Sequence, residues 1–303
     1  MNVLKPKKCL AGDIGATNCR LAIIDEENNI LKSEKVDTSR ENPVAFIHNQ
    51  VKEFILDENI EGISFSIAGP VTEGAGMFTN LPSQPRIAPD DFKDICPNVI
   101  LLNDAVAAVY AEYTRDPHPN MVYITISSGI GGGVIQNDEI VYFKGTDEEI
   151  GHIEIEARDY RLSCGCKPGK FNHWEALCAG GVLVDFFEAW KVIENDTSGL
   201  HPKQTKDIFS AAKKGNKTAK RFLQEGFGWV NRQAFEKVIQ KYQPEKIVLG
   251  GSVAANNQDE ITDGLKDLAN LPQVSFTDYG DDISLIGASK YLFHQLLTNA
   301  EKK

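Results

Sequence analysis

Two glycine turns, each set between strand-like runs, constrain this chain more than any other feature. The first is "GDIGATN" at 12–18, inside "KCLAGDIGATNCRLAIIDEENNILKSEKVDT"; the second is "SSGIGGG" at 127–133, inside "MVYITISSGIGGGVIQNDEIVYFKG". Apolar residues alternate on both sides of each turn, and an Asn-Asn or Asn-Asp pair marks a further turn before a third strand. One such hairpin is commonplace. Two with the same layout imply two related halves, each opening on strand, glycine turn, strand, polar turn, strand.

The intervening segments fit that reading. "NPVAFIHNQVKEFILDE" has helical apolar spacing and opens after Asn-Pro, "IEGISFSIAGPV" is a strand ending in a Gly-Pro turn, and "NVILLNDAVAAVYAEYTRD" passes from strand into an alanine-rich helix. These alternate as an α/β unit does. "TRDPHPN" reads as a linker, which places one domain at 1–117 and a larger one at 118–286. In the second, helices are expected at about 174–192, 205–214, 217–242 and 253–270, with strands at "EKIVLGG" and "VSFTDY". The final amphipathic helix is expected at about 287–303.

With 303 residues, the chain has room for one large or two medium domains. No apolar run approaches the roughly 20 residues that span a bilayer, and the N-terminus lacks the apolar stretch of a signal peptide. The expectation is a cytoplasmic protein without a membrane partner, whose 6 cysteines are thiols, metal ligands or active-site groups. A net charge of -11 speaks against a nucleic-acid partner.

Glycine permits close backbone approach, so either turn can aim amides at a phosphate or simply close a hairpin. Neither has the Gly-Lys-Ser/Thr ending of a P-loop, and no helix pattern follows "GIGGG". Asp13 separates the readings. A carboxylate in a phosphate-cradling turn repels phosphate unless a cation lies between, which makes Asp13 a natural Mg²⁺ ligand, direct or through water. Thr17 and Asn18 add polar groups beside it. A third glycine turn, "LGGSV" at 249–253, stands between a strand and a helix, where Gly250 and Gly251 can pack on a flat base or ribose.

The three turns together resemble the superfamily of actin, sugar kinases and heat-shock ATPases. Within it "GDIGATN", "SIAGPV", "NDAVAAV", "GIGGG", "EIGH" and "CGC…HWE" are similar, in order and spacing, to the ROK family (repressors, open reading frames and sugar kinases), over about residues 11–290. The resemblance implies two actin-like (ribonuclease H-like) α/β domains flanking a catalytic cleft, the last helix returning to the first domain. It implies ATP and Mg²⁺ as cofactors, held by Asp13, Gly15, Thr17, Asn18, Ser128, Gly129, Gly131, Gly132, Gly250 and Gly251.

Asp104 opens a helix after an apolar strand. Such a residue is either a cap or, where a hydroxyl must lose its proton to attack a phosphoryl group, a general base. The resemblance places Asp104 as that base. It places Asn80, Asn103, Glu149, His152 and Glu175, with Asp104, on the sugar. The family tryptophan that follows Asn80 is missing here.

The segment "RLSCGCKPGKFNHWEALCAG" at 161–180 admits a metal knuckle, a redox site or a packed turn. Family kinases carry a structural zinc on one histidine and three cysteines spaced Cys-x-Cys-x4-Cys. Here His152, Cys164 and Cys166 match, but Phe171 stands where the third cysteine belongs. Two residues later His173 takes its place relative to Glu175, giving a His2Cys2 zinc set, with Cys178 as the rival ligand. A site with four protein ligands has no open position for catalysis.

The activity implied is transfer of the ATP γ-phosphoryl group to a hexose hydroxyl, O6, as in a glucokinase or hexokinase. N-acetylmannosamine, N-acetylglucosamine and fructose are alternative acceptors. A sugar-responsive regulator of the same family is disfavoured because the first hairpin begins by residue 11, leaving no room for a helix-turn-helix. A sugar binder without catalysis is disfavoured by the presence of Asp13 and Asp104. By analogy with the family the chain forms a homo-oligomer, a dimer.

Overall fold

The computed structural model describes residues 6–15, 18–78, 81, 83–143, 148–158 and 160–301. The chain divides into two compact units, Met1–Pro117 with Asp281–Lys303, and His118–Gly280.

The first unit begins with β1 (Lys8–Ile14), β2 (Asn18–Asp25), β3 (Ile30–Asp37) and α1 (Pro43–Phe54). There follow β4 (Ile63–Ile67), a small sheet of β5 (Val71–Thr72), β6 (Ala75–Met77) and β7 (Arg86–Ile87), then β8 (Val99–Asn103) and α2 (Asp104–Arg115). The main sheet runs β3-β2-β1-β4-β8. β1, β2 and β3 pair antiparallel, while β4 and β8 lie parallel to β1.

Both faces of that sheet are covered, and the period of 2 in β1 shows how. Leu10 and Ile14 point into a cluster with Ile47, Val51 and Phe54 of α1. Cys9 and Ala11 point the other way, toward Leu285 and Leu292 of the terminal helix. α1 is started by Asn42, whose side chain accepts from the Ala45 amide, with Pro43 at the first position.

The second unit holds β9 (Met121–Ile126), β10 (Ile130–Gln136), β11 (Glu139–Val141), α3 (Trp174–Cys178), α4 (Leu183–Ile193), α5 (Thr205–Lys213), α6 (Lys217–Phe222) and α7 (Gly228–Tyr242). β12 (Lys246–Gly250), α8 (Ser252–Asn256), α9 (Gln258–Leu265) and β13 (Gln273–Phe276) complete it. Its sheet runs β11-β10-β9-β12-β13, three antiparallel strands and then two parallel ones, the same plan as the first. The repeated hairpin is thus the opening of a repeated sheet.

Boundaries differ from the sequence reading at four places. The helix expected at 174–192 is broken into α3 and α4, because the amides of Gly180 and Gly181 leave helical pairing to donate to the carbonyls of Ser127 and Ser128, at 2.6 and 3.0 Å. The segment 217–242 is one helical run, as expected, with a π-helical turn at Leu223–Phe227 where α6 passes into α7. The segment expected as a helix at 253–270 is shorter and divided at Asn257. α2 continues through Arg115, two residues into the expected linker.

The terminal helix, α10 (Ile283–Glu301), starts before the expected 287. Asp282, just ahead of it, pairs with Arg20 of β2 at 2.5 Å and ties the helix start to the sheet. α10 then crosses α2 at Gly287. A Cβ there would lie 2.5 Å from the carbonyl carbon of Ala107, so only glycine permits this approach. Among the described residues no helix is long and apolar enough to cross a membrane.

Candidate active site and metal centre

The first unit holds Asp13, Asn103 and Asp104. Asp13 lies near the end of β1, and Ser66, its parallel neighbour on β4, donates its hydroxyl to Asp13 Oδ1 at 3.0 Å. Burial raises the Asp13 pKa above the ordinary carboxylate value; the Ser66 hydroxyl and the nearby Arg20 oppose this without cancelling it. A cation beside Asp13 would act in the same sense as Arg20. The residues present therefore fit a divalent ion that accompanies a phosphate.

Gly15 differs from its expected role. Its amide closes the hairpin by donating to the Asn18 carbonyl at 2.8 Å, and its carbonyl accepts from the Thr38 hydroxyl. That amide is already spent on the turn, so a phosphate contact from it is not supported. Thr17 and Asn80 lie outside the described residues.

At the β8–α2 junction the cap is Asn103, not Asp104. Asn103 Oδ1 accepts from the amides of Ala105 and Val106 at 3.0 and 3.2 Å, and its Nδ2 donates to Gly69 O at 3.0 Å. One Nδ2 hydrogen is left for another acceptor. Asp104 is the first residue of the helix, partly exposed, with its Oδ1 2.8 Å from the Ala105 amide. The capping asparagine fixes the helix start, and the helix start aims the carboxylate.

The second unit holds the remaining candidates. A 3-10 turn, Ile150–His152, follows Glu149. Gly151 has no room for a side chain, since a Cβ would press on the Ile130 carbonyl, so the turn sits directly on the start of β10. His152 Nε2 is 3.5 Å from Glu149 Oε2, leaving Nδ1 to face the cysteines.

The segment 153–174 folds back to bring His173 to the same point. Trp174 N donates to Ile153 O, and Ile155 N to Asn172 O. Gly165, between the two cysteines, is left-handed at φ 79°, and Asn172 at φ 59° turns the chain into His173. His152 Nδ1 lies 3.3 Å from His173 Nδ1; Cys164 Sγ lies 3.6 and 3.2 Å from those two atoms; Cys166 Sγ lies 3.3 Å from His173 Nδ1. All four ligand atoms fall within 4.8 Å of one another. A zinc tetrahedron with ordinary bond lengths has edges of about 3.3 Å between nitrogens, about 3.6 Å between nitrogen and sulfur and about 3.8 Å between sulfurs. The set therefore has the size and chemistry of a zinc site. Cys178 is not part of it: its thiol is fully buried on α3 beside the Phe227 carbonyl.

The second glycine turn is gripped from α3. Glu175 Oε2 accepts from the Ile130 amide at 2.8 Å, and a Cβ on Gly129 would come within 2.8 Å of that same oxygen. Gly180 and Gly181 hold the Ser127 and Ser128 carbonyls from below. Among the described residues, the amides of Ser128 and Gly129 have no acceptor, which leaves two consecutive N–H groups for an anion. Gly131 and Gly132 lie within β10, opposite Thr125 and Ile124.

The third glycine turn meets the second. Gly251 is left-handed at φ 85°, and a Cβ there would strike the Ile126 carbonyl; one on Gly250 would lie 2.8 Å from Tyr123 Cζ. Ser127 Oγ and Ser252 Oγ are 3.1 Å apart. The sequence reading missed Ser66, Ser127 and the Gly180–Gly181 pair. Only the last carried a signal, two glycines in the middle of an expected helix.

The ROK family profile matches residues 9–295. The chain belongs to the ROK family. It is 31% identical over 295 residues to a glucokinase of Pyrobaculum calidifontis, covering 93% of this chain and 94% of that one. It is 27% identical over 313 residues to an N-acetylmannosamine kinase of Haemophilus influenzae, covering 97% and 98%. Among solved structures, a ROK family glucokinase from Streptomyces griseus, in complex with glucose and AMPPNP, superposes with a TM-score of 0.71 at 25% identity, covering 94% of this chain and 98% of that one. The α/β fold described above is that of the ROK sugar kinases.

Proposed function

We propose that this ATP-dependent sugar kinase phosphorylates a hexose at O6, with Asp104 as general base and glucose as the first acceptor to test. The observation that carries the reading is the near full-length likeness to a glucokinase, joined to the carboxylate of Asp104 at the start of α2, the helix that Asn103 caps. A sugar hydroxyl attacking a phosphoryl group must lose its proton, and a carboxylate within hydrogen-bond reach accepts it.

In this reading Glu149, Glu175 and His152 Nε2, which lies 3.5 Å from Glu149, meet the sugar hydroxyls, which lets the site reject analogues lacking them. Asn103 offers its remaining Nδ2 hydrogen. The Ser128 and Gly129 amides receive phosphate oxygens, and Gly250 and Gly251 flank the nucleoside. Asp13 would hold Mg²⁺, which would neutralise charge on the phosphates when bound. His152, Cys164, Cys166 and His173 would hold a zinc that supplies no chemistry to the reaction and would fix His152 and the start of α3. His152 would offer Nδ1 to the metal while Nε2 faces Glu149 at 3.5 Å, an arrangement in which a carboxylate orients a metal-ligating imidazole.

The test is ATP-dependent phosphorylation of glucose, mannose, fructose, N-acetylmannosamine and N-acetylglucosamine in parallel. Glucose turnover with a loss of at least about 10²-fold in Asp104→Asn supports the reading. Full activity in that variant would remove Asp104 as base. Preference for an N-acetylhexosamine would move the acceptor to the class of the Haemophilus influenzae relative.

A further inference from the structure

Glu175 is a sugar residue by the reading above, yet its carboxylate touches the phosphate turn. Oε2 sits on the Ile130 amide at 2.8 Å, immediately behind the unpaired amides of Ser128 and Gly129. The helix that carries it is pinned at both ends. The indole of Trp174 is fully buried, packs edge-on against Phe235, and donates to Asn231 Oδ1 at 2.9 Å. Asn231 in turn donates to Phe227 O. At the other end Gly180 and Gly181 hold the turn itself. α3 is therefore fixed against the turn, and its carboxylate is set beside the amides where an anion would bind.

We propose that Glu175 gates phosphate binding: its charge opposes the triphosphate until sugar hydroxyls donate to it. The inference rests on the kinase reading and adds a sign to it. An unliganded carboxylate in a partly buried site repels the phosphates at close range, where solvent screens little. Hydroxyls donating to the same carboxylate spread that charge and weaken the repulsion. Sugar then tightens nucleotide binding, and by linkage nucleotide tightens sugar binding by the same factor. The enzyme is thereby biased against holding ATP while no acceptor is present.

The experiment compares wild type with Glu175→Gln, which keeps the size and an oxygen for the Ile130 amide but removes the charge. Calorimetry measures Mg·AMPPNP binding with and without saturating sugar. Wild type is expected to bind the nucleotide about 5-fold tighter with sugar, the low end of common coupling factors. Glu175→Gln is expected to bind it at least threefold tighter than wild type without sugar, and to gain nothing further when sugar is added. A glutamate with only a sugar role leaves sugar-free nucleotide binding unchanged, and one with only a structural role weakens it; either result overturns the proposal.

A second measurement needs no ligand. The Ile130 amide proton, identified by NMR, is expected to shift upfield in Glu175→Gln and in Gly129→Ala, whose new Cβ displaces the carboxylate. No shift in either variant overturns the contact itself. Failure to phosphorylate any sugar would sink the kinase reading, whereas the sugar-free nucleotide and NMR measurements would still judge the gate.

Discussion

Gly287→Ala sets two effects of opposite sign against each other. Within a helix, alanine is favoured over glycine by about 1 kcal/mol, so propensity alone predicts stabilisation. The structure predicts the reverse. The new Cβ would lie 2.5 Å from the Ala107 carbonyl carbon, and nearer still to its oxygen. Both are backbone atoms of α2 and have no rotamer to escape into. Reaching an ordinary carbon–carbon separation of ~3.5 Å requires α2 and α10 to part by about 1 Å.

Overpacking of this kind costs roughly 1–3 kcal/mol, and loss of packing at the seam, where Leu285 and Leu292 are buried against the sheet, adds to it. A net destabilisation of about 2 kcal/mol corresponds to a fall in Tm of roughly 4–8 °C for a unit of this size. Function should suffer too, because Asp104 lies one turn from Ala107 on α2. A displacement of about 1 Å at a catalytic group can cost up to about 10²-fold in kcat. Differential scanning calorimetry and steady-state kinetics read the two effects. Gly264→Ala is the control: its Cβ would meet only Gly228 Cα at 3.4 Å, an ordinary contact, so its Tm should hold or rise. A Gly287→Ala protein at least as stable as wild type would refute the steric argument.

The other expected outcomes concern the site and its supports. Freshly purified protein should carry one zinc per chain, lost in His173→Ala and retained in Cys178→Ser; elemental analysis decides, and retention of zinc in the first variant would remove His173 from the set. Asp13→Asn should abolish turnover yet raise the Tm of the ligand-free protein at pH 7. Burial raises the folded-state pKa of Asp13 above 3.8, so its charged form opposes folding, and the advantage of the variant should shrink as pH falls through that raised value toward 3.8. An unchanged difference across a pH series would show that the charge is not the cause. Asn231→Leu leaves the Trp174 N–H unpaired in the core and removes one donor from the Phe227 carbonyl; a loss of about 2 kcal/mol in urea unfolding is expected, with a rise in sugar KM as α3 loosens.

Most of the local plan was legible because it rests on short-range signals. The strand period and the Asn-Asn and Asn-Asp turns announce both hairpins, and Asn28, Asn137 and Asp138 do adopt left-handed conformations there. The family resemblance, which sets the third ligand two residues before Glu175, brought His173 beside Cys164 and Cys166. What sequence concealed depends on partners far along the chain. That Asn103 caps α2 is a local matter, but that its amide is also held by Gly69 is not. The break after α3 follows from carbonyls some fifty residues earlier, so helical apolar spacing ran straight through it. Gly15 was legible as a turn glycine, yet whether its amide faces a ligand or its own hairpin is a choice composition does not reveal. The small sheet β5–β7 has strands of only 2 or 3 residues and no usable period.

A zinc held by the His2Cys2 cluster would explain how a loop with so little core fixes the start of α3. Between Ile153 and His173 only Ile155 and Tyr160 are buried hydrophobics among the described residues, too few to order a segment of this length by burial. Four candidate ligand atoms converging on one point offer what the loop lacks, and they do so at its two ends. His152 closes the turn that presents Glu149, and His173 immediately precedes Trp174 and Glu175. On the zinc proposal an imidazole at 173 would serve as a ligand as well as a thiolate, while α3 is held between the Trp174–Asn231 contact and the Ser127–Ser128 carbonyls.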